Sequence, residues 1–372
     1  MPFTCPNCRQ QLHLEESACP SCARPVGFDW RIDAFRYLDP QSGEWQDARG
    51  ARAALKPCAN QRYGACNWLA DVSGDGATAR PAMCRACRHN RIIPDLAVPG
   101  VLQRWRRIEE AKRRMIRSVI KLGLPLETKA ERPDGLAFDF LYDPAAENGY
   151  VPQLLTGHAD GVITLNVIEA DDVARERIRH EMGEPYRTLL GHFRHEIGHY
   201  YWYRLVAGTD MQDRFRALFG DERTDYSEAV RRYYAGGPPP AWADGHISAY
   251  ATAHPWEDFA ETFAHYLHIV DTLGAMTDFG VALKAQVGTG DEIDAYSADT
   301  AALVGRWLPT SFALNAVNRA MGHPDLYPFR LNPGVVLKLD FANQVVARAA
   351  ARQTGQEASD LTALIAMFGH GV

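Results

Sequence analysis

Gly191-His-Phe-Arg-His-Glu-Ile-Gly-His-Tyr200 is the stretch from which the rest of this chain is read. Within it, His195-Glu196-x-x-His199 has the HExxH spacing. On an α-helix, residues four apart share a face, so both imidazoles can reach one metal ion. Glu196 lies about 100° further round, near enough to take a proton from water activated by that ion. Leu189, Leu190, Phe193, Ile197, Tyr200 and Tyr201 recur at intervals of three and four, which predicts the helix itself. Ile197 and Gly198 are uncharged, as a buried metal site prefers, whereas Arg194 just before the first histidine is an unusual neighbour.

Catalytic zinc takes three protein ligands and keeps a position for water. A third histidine in the pattern HExxHxxGxxH is absent, since Trp202 and Leu205 occupy those places, so the ligand must lie further on. The richest downstream stretch is Tyr250-Ala-Thr-Ala-His-Pro-Trp-Glu-Asp-Phe-Ala-Glu-Thr-Phe-Ala-His-Tyr-Leu-His268. Pro255 suits the first helical position. Glu257, Glu261, His265 and His268 then share one face of the helix, with Phe259, Phe263 and Leu267 on another. Two carboxylates at i and i+4 repel unless a cation sits between or beside them. Glu257 is read as the third ligand, and Glu261, one turn on, as the carboxylate that accepts the free ring N–H of a ligating histidine. Asp258 points about 100° away from Glu257. His254 is a weaker candidate for chemistry than for helix capping, and His323 reads as a surface residue.

All eight cysteines fall within the first 87 residues. Cys5-x2-Cys8 and Cys19-x2-Cys22 form two knuckles, the pattern of a zinc ribbon over residues 1–26, whose folding energy a metal must supply because so short a unit has no core. Cys58-x7-Cys66 and Cys84-x2-Cys87 form a second four-thiolate set in residues 27–95, with a glycine-rich turn at Ser73-Gly-Asp-Gly76 between them. Four thiolates leave no open position, so both sites read as structural, and the expected complement is three zinc ions, two structural and one catalytic.

Hydrophobic residues make up 46% and charged residues 23%, which fits a folded globular chain and excludes a disordered one. No run of 18 apolar residues appears, and Met-Pro-Phe-Thr-Cys has no basic n-region before an apolar core. The expectation is therefore a cytoplasmic protein without a membrane partner. From Arg80 to Lys121 the local charge is +9 while the whole chain carries −6. A basic stripe beside zinc modules keeps nucleic acid open as a partner, but a solvated helix face complementing the acidic main domain is the favoured account.

Taken in order, Gly27–Tyr37 alternates as short strands do, and Leu96–Leu122 reads as an amphipathic connecting helix with Leu102, Trp105, Ile108, Met115, Val119 and Leu122 on its apolar stripe. Leu136–Tyr142 and Val162–Ile168 read as strands. Val162–Ile168 is a candidate cleft edge whose free backbone groups would pair an extended substrate. Residues 207–247 look like an irregular insertion with short helices. Residues 271–372 look helical, with Val335–Leu339 open to either a strand or a helix start. The fold class expected is α+β, with domains at 1–26, 27–95, 96–124 (the connecting helix) and 125–372.

His195-Glu-Ile-Gly-His-Tyr200 followed by His254-Pro-Trp-Glu-Asp-Phe-Ala-Glu-Thr-Phe-Ala-His-Tyr-Leu-His268 resembles the bacterial zinc-binding metallopeptidases that carry an N-terminal zinc ribbon. The likeness extends to Cys66-Asn-Trp-Leu69 and to Cys84-Arg-Ala-Cys-Arg-His-Asn-Arg-Ile-Ile-Pro-Asp-Leu96, and so covers nearly the whole chain. More distantly, Glu257-Asp-Phe-Ala-Glu261 is similar to the third-ligand helix of the gluzincin peptidases. That resemblance implies a zincin-like domain with His195, His199 and Glu257 as ligands and Glu196 as general base. It also implies that Tyr250, seven residues before Glu257, is the phenol that stabilises the oxyanion. The activity implied is hydrolysis of a peptide or protein substrate. The alternative is a regulator whose ribbons bind nucleic acid or recruit a protein, with the peptidase site secondary or vestigial.

Overall fold

A computed structural model describes residues 2–72, 81–144, 157–181, 188–283 and 293–368, with side chains left aside at 177–181 and 356–368. The turn expected at Ser73–Gly76, Arg80 at the start of the basic stripe, and Pro185 before the HExxH helix lie outside the described residues. Backbone packing divides the chain into two units, one of residues 1–117, 128–190 and 277–280, the other of residues 118–127, 191–276 and 281–372.

In the first unit, β1 (Val26–Asp29), β2 (Ala34–Leu38), β3 (Trp45–Gln46) and β4 (Arg52–Ala53) form an antiparallel sheet in that order. β5 (Leu55–Pro57) pairs with β6 (Leu69–Asp71). Phe3, Phe28 and Phe35 meet edge to face at 5.6–5.9 Å, and Trp68 packs on Phe28 at 4.9 Å. Asn67 donates to the carbonyls of Leu14 and Glu16 at 2.6 and 2.8 Å. Residues 1–26 and 27–95 therefore fold around shared packing. Isolated knuckles have too little apolar surface to do this alone.

β7 (Asn90–Ile92), β8 (Ala137–Leu141), β9 (Gly157–Ala159) and β10 (Val162–Asn166) make a second sheet in the order β7-β8-β10-β9. Here the expectation of a cleft edge at Val162–Ile168 is corrected. β10 is parallel to β8 along its whole length and antiparallel to β9 over Val162–Thr164, so that part of it is not an edge, and it leaves the sheet at Asn166. The Asn166 side chain accepts from Ile168 N and caps a 3-10 turn over Val167–Ala170. The apolar alternation that identified the strand follows from core packing, which is blind to whether an edge is free.

The connecting helix α1 runs over Val101–Lys121, starting later than the expected Leu96 because Pro99 and Gly100, the latter at φ +80°, end the preceding turn. Its basic residues within the first unit are paired. Arg117 grips Asp33 through both nitrogens (2.6 and 2.7 Å), Arg114 binds Glu15, and Arg107 binds Asp172 and the Ala170 carbonyl. Lys112, fully buried, donates to Glu109 at 2.8 Å and to Asn90, and lies over the rings of Phe138 and Phe140. The partners of this stripe lie both among the N-terminal residues, at Glu15 and Asp33, and beyond the helix, at Asp172. The helix α2 (Asp172–Glu181) closes this run.

The second unit is helical. α3 (Leu189–Tyr201) enters it at Gly191 and continues as a π-helical turn over Trp202–Val206. Then come α4 (Gln212–Phe219), α5 (Tyr226–Gly236), α6 (Pro255–Asp278), α7 (Thr300–Ala320) and α8 (Pro333–Phe368), so Val335–Leu339 belongs to a helix. Phe215, Phe219, Phe259 and Phe341 form an aromatic core that ties α4, α6 and α8 together at 4.9–6.3 Å. Small sheets in the first part and helices in the rest give the α+β class expected. Among the described residues, no helix is long and apolar enough to cross a membrane.

Candidate metal centres

The eight cysteines fall into the two expected sets, Cys5, Cys8, Cys19 and Cys22, and Cys58, Cys66, Cys84 and Cys87. None is in a disulfide. Sulfur–sulfur distances are 3.8 Å for Cys5 and Cys22, 3.5 Å for Cys8 and Cys19, and 3.6 Å for Cys66 and Cys84. A tetrahedron with zinc–sulfur bonds of about 2.3 Å has edges of about 3.8 Å, so both sets fit zinc. Around the second set, Glu109 accepts from Cys87 Sγ and from Asn90, and is itself held by Lys112. Burial pushes the Glu109 carboxyl up to about 7, against the pull of Lys112.

The third set joins α3 to α6. His195 Nε2 lies 3.1 Å from His199 Nε2 and 3.0 Å from Glu257 Oε2, and His199 Nε2 is 3.5 Å from the same oxygen. Although Oε2 is this close to two ring nitrogens, it makes no hydrogen bond, and it is buried. Three ligand atoms this close to one another, one of them a buried carboxylate oxygen without a hydrogen bond, fit a shared cation. Electrostatics agree. Burial alone would lower the His195 pKa, but Glu257 and Glu261 overcome it and raise it well above the usual imidazole value. The two carboxylates thus demand positive charge here, and a divalent ion supplies it with both imidazoles neutral.

Neighbouring groups fix the geometry. His195 donates from Nδ1 to Glu261 Oε1 at 2.7 Å, and Ser248 Oγ donates to Glu261 Oε2 at 2.7 Å. Asp258, the rival carboxylate, is turned away and buried against Lys338 at 2.6 Å. Gly198, between the two histidines, lets the helices touch: a Cβ there would lie 2.9 Å from Ala260 Cα on α6. Tyr250 heads a 3-10 turn, with its ring 6.0 Å from that of His195. Burial, then Glu257, raises its pKa far above the ordinary phenol value, which keeps its proton available for donation. Burial would also raise the Glu196 carboxyl, but His192, bonded at 3.2 Å, and the nearby imidazoles hold it down at about 2.

A family model described as "Putative zinc-binding metallo-peptidase" matches residues 101–345, and a zinc-ribbon domain model matches residues 2–98. The chain belongs to this zinc-binding metallopeptidase family. Uncharacterized proteins of Mycobacterium tuberculosis and Mycobacterium bovis are 44% identical over 350 residues, covering 94% of this chain and 96% of theirs. No solved structure matches.

In this family member the geometry brings together His195, Glu196, His199, Tyr250, Glu257 and Glu261, adds His192 and Tyr226, to which no role was assigned, and accounts for Arg194. His192, one turn before Glu196, contacts it, and an i, i+4 spacing was the available signal. Arg194, the unusual neighbour, is explained by its bonds to His268 and Asp271, the latter also accepting from Ser118 at 2.6 Å and Tyr296 at 2.9 Å. Tyr226 donates to Glu257 Oε1 at 2.8 Å from a stretch to which sequence assigned no role. His254 takes the capping part: its Nδ1 accepts from Trp256 N at 3.1 Å and its Nε2 donates to the Thr224 carbonyl.

Proposed function

We propose that this metallopeptidase family member hydrolyses peptide bonds with a gluzincin-type centre, in which His195, His199 and Glu257 hold zinc and the two cysteine sets hold structural ions. The observation that carries the reading is the convergence of His195 Nε2, His199 Nε2 and an unpaired Glu257 Oε2, with Glu196 on the same helix. Zinc bound there supplies Lewis acidity, polarising a carbonyl and bringing the pKa of water towards neutrality. Glu196 is ionised, has one oxygen without a partner, and receives the proton of the attacking water. It then passes that proton to the leaving amine. The Tyr250 hydroxyl donates to the developing oxyanion. Glu261 and Ser248 fix the tautomer and the orientation of His195.

The test is proteomic. Lysate treated with the protein is compared with lysate treated with Glu196→Gln, and new N-termini are read by mass spectrometry. Cleavages present only with the unsubstituted protein, at equal metal content, are expected, with turnover down roughly 10²–10⁴-fold in the variant. Equal cleavage by both would end the reading of Glu196 as the base.

A further inference from the structure

We propose that Tyr226 is a positioning residue for the open metal centre: its hydroxyl occupies one oxygen of Glu257 so that the other faces the metal. The proposal rests on the reading of His195, His199 and Glu257 as the zinc-holding set. A carboxylate has two equivalent oxygens and can swing between one-oxygen and two-oxygen coordination. Here the symmetry is broken. Oε1 accepts from Tyr226 at 2.8 Å, while Oε2 lies 3.0 Å and 3.5 Å from the two imidazole nitrogens. A neutral donor on Oε1 leaves the carboxylate its charge and fixes its rotation, which a cationic partner such as lysine would not do without weakening the pull on the metal.

The position of Tyr226 is itself determined. It is the first residue of α5, whose start is capped by Asp225, Oδ1 accepting from Glu228 N at 2.7 Å. Its ring meets His254 edge-on at 5.3 Å and leans on Trp256 at 5.9 Å. Those two residues build the first turn of α6, the turn that presents Glu257. The phenol is thus registered against the same piece of backbone as its acceptor. Further along α5, Tyr233 and Tyr234 pack on the ring of Tyr250 at 5.6 and 6.4 Å.

The experiment uses the full chain loaded with cobalt(II), which reports the thiolate sites by sulfur charge-transfer bands and intense long-wavelength d–d bands, and the histidine centre by weaker d–d bands at shorter wavelength, read as the difference from a chain with cobalt at the thiolate sites alone. Tyr226→Phe keeps the ring against His254 and Trp256 and removes only the hydroxyl. Chelator competition is expected to show affinity of the histidine centre lowered roughly 10–100-fold, with its d–d envelope shifted. The charge-transfer bands and the metal-free melting temperature are expected to stay where they are. In a Glu257→Gln background the same substitution is expected to add little, because both changes act through one carboxylate. Unchanged affinity and an unchanged d–d spectrum in Tyr226→Phe would overturn the proposal. If the unsubstituted protein takes cobalt only at the thiolate sites, the reading of the histidine centre fails, and this proposal falls with it.

Discussion

Cys58, Cys66, Cys84 and Cys87 are all buried, whereas His195 and His199 keep 12% and 16% of their side chains in contact with solvent. The contrast extends to charge. Four thiolates around a divalent ion carry a net charge of about −2, and the chain answers with buried Lys112 and Arg113 beside them. In the proposed open centre, two imidazoles and one carboxylate around a divalent ion would leave about +1, and Glu261 stands behind one imidazole in place of a further ligand. On the proposed reading, one metal serves as a staple in the first setting and as a Lewis acid in the second, according to the number of donors, their charge and the solvent allowed to reach them.

The sharpest break of that comparison is Cys66→Ser. At a closed site the binding energy is folding energy, about 10–16 kcal/mol in small zinc modules, which exceeds the stability of most domains. Hydrogen exchange is expected to show loss of protection across residues 2–98. Glu257→Ala is expected to do the reverse, emptying the open centre while both thiolate sites and the melting transition persist, as metal analysis can check. Tyr250→Phe is expected to slow turnover roughly 10²–10³-fold, about 2.7–4 kcal/mol, with KM little changed in steady-state kinetics.

Acidity separates the regions by another route. His265 is buried against Tyr327 and Phe329, and burial lowers its pKa to about 4 from an ordinary 6.5. Below pH 6.5 the unfolded chain binds a proton that the folded chain refuses, so stability is lost as pH falls from 6.5 towards 4. The loss is on the order of 3 kcal/mol. Acid-unfolding curves of His265→Asn are expected to be flatter in that window. The smallest effect is expected from Glu261→Ala, roughly 10–100-fold in affinity for the third metal by chelator competition. A larger loss from Glu261→Ala than from Glu257→Ala would reverse their assigned roles.

What the sequence made legible follows from how local each signal is. Cysteine knuckles and HExxH are written within single turns of chain, and Glu257 with Glu261 within one helix, so spacing alone exposed them. Tyr226 was hidden because its acceptor lies 31 residues away and no periodicity links a lone tyrosine to a carboxylate on another helix. The pairing of β10 on both edges over Val162–Thr164 was hidden for a similar reason: alternation records burial of a face, while strand neighbours are set by register with β8 and β9. The late start of α1 could have been read, since Pro99 and Gly100 stand in plain view.

Gly198 carries a consequence of a mechanical kind. The two histidines come from α3 and the carboxylate from α6, so the gap between these helices is the jaw opening of a caliper. The stop that sets this opening is a missing methyl group resting on the backbone of Ala260. A side chain at 198 would push the jaws apart by tenths of an ångström without altering a single donor atom, and a site of this kind tolerates only about half an ångström. In the proposed centre, the choice of ion and the hold upon it are thereby gauged at a position that never touches the ion.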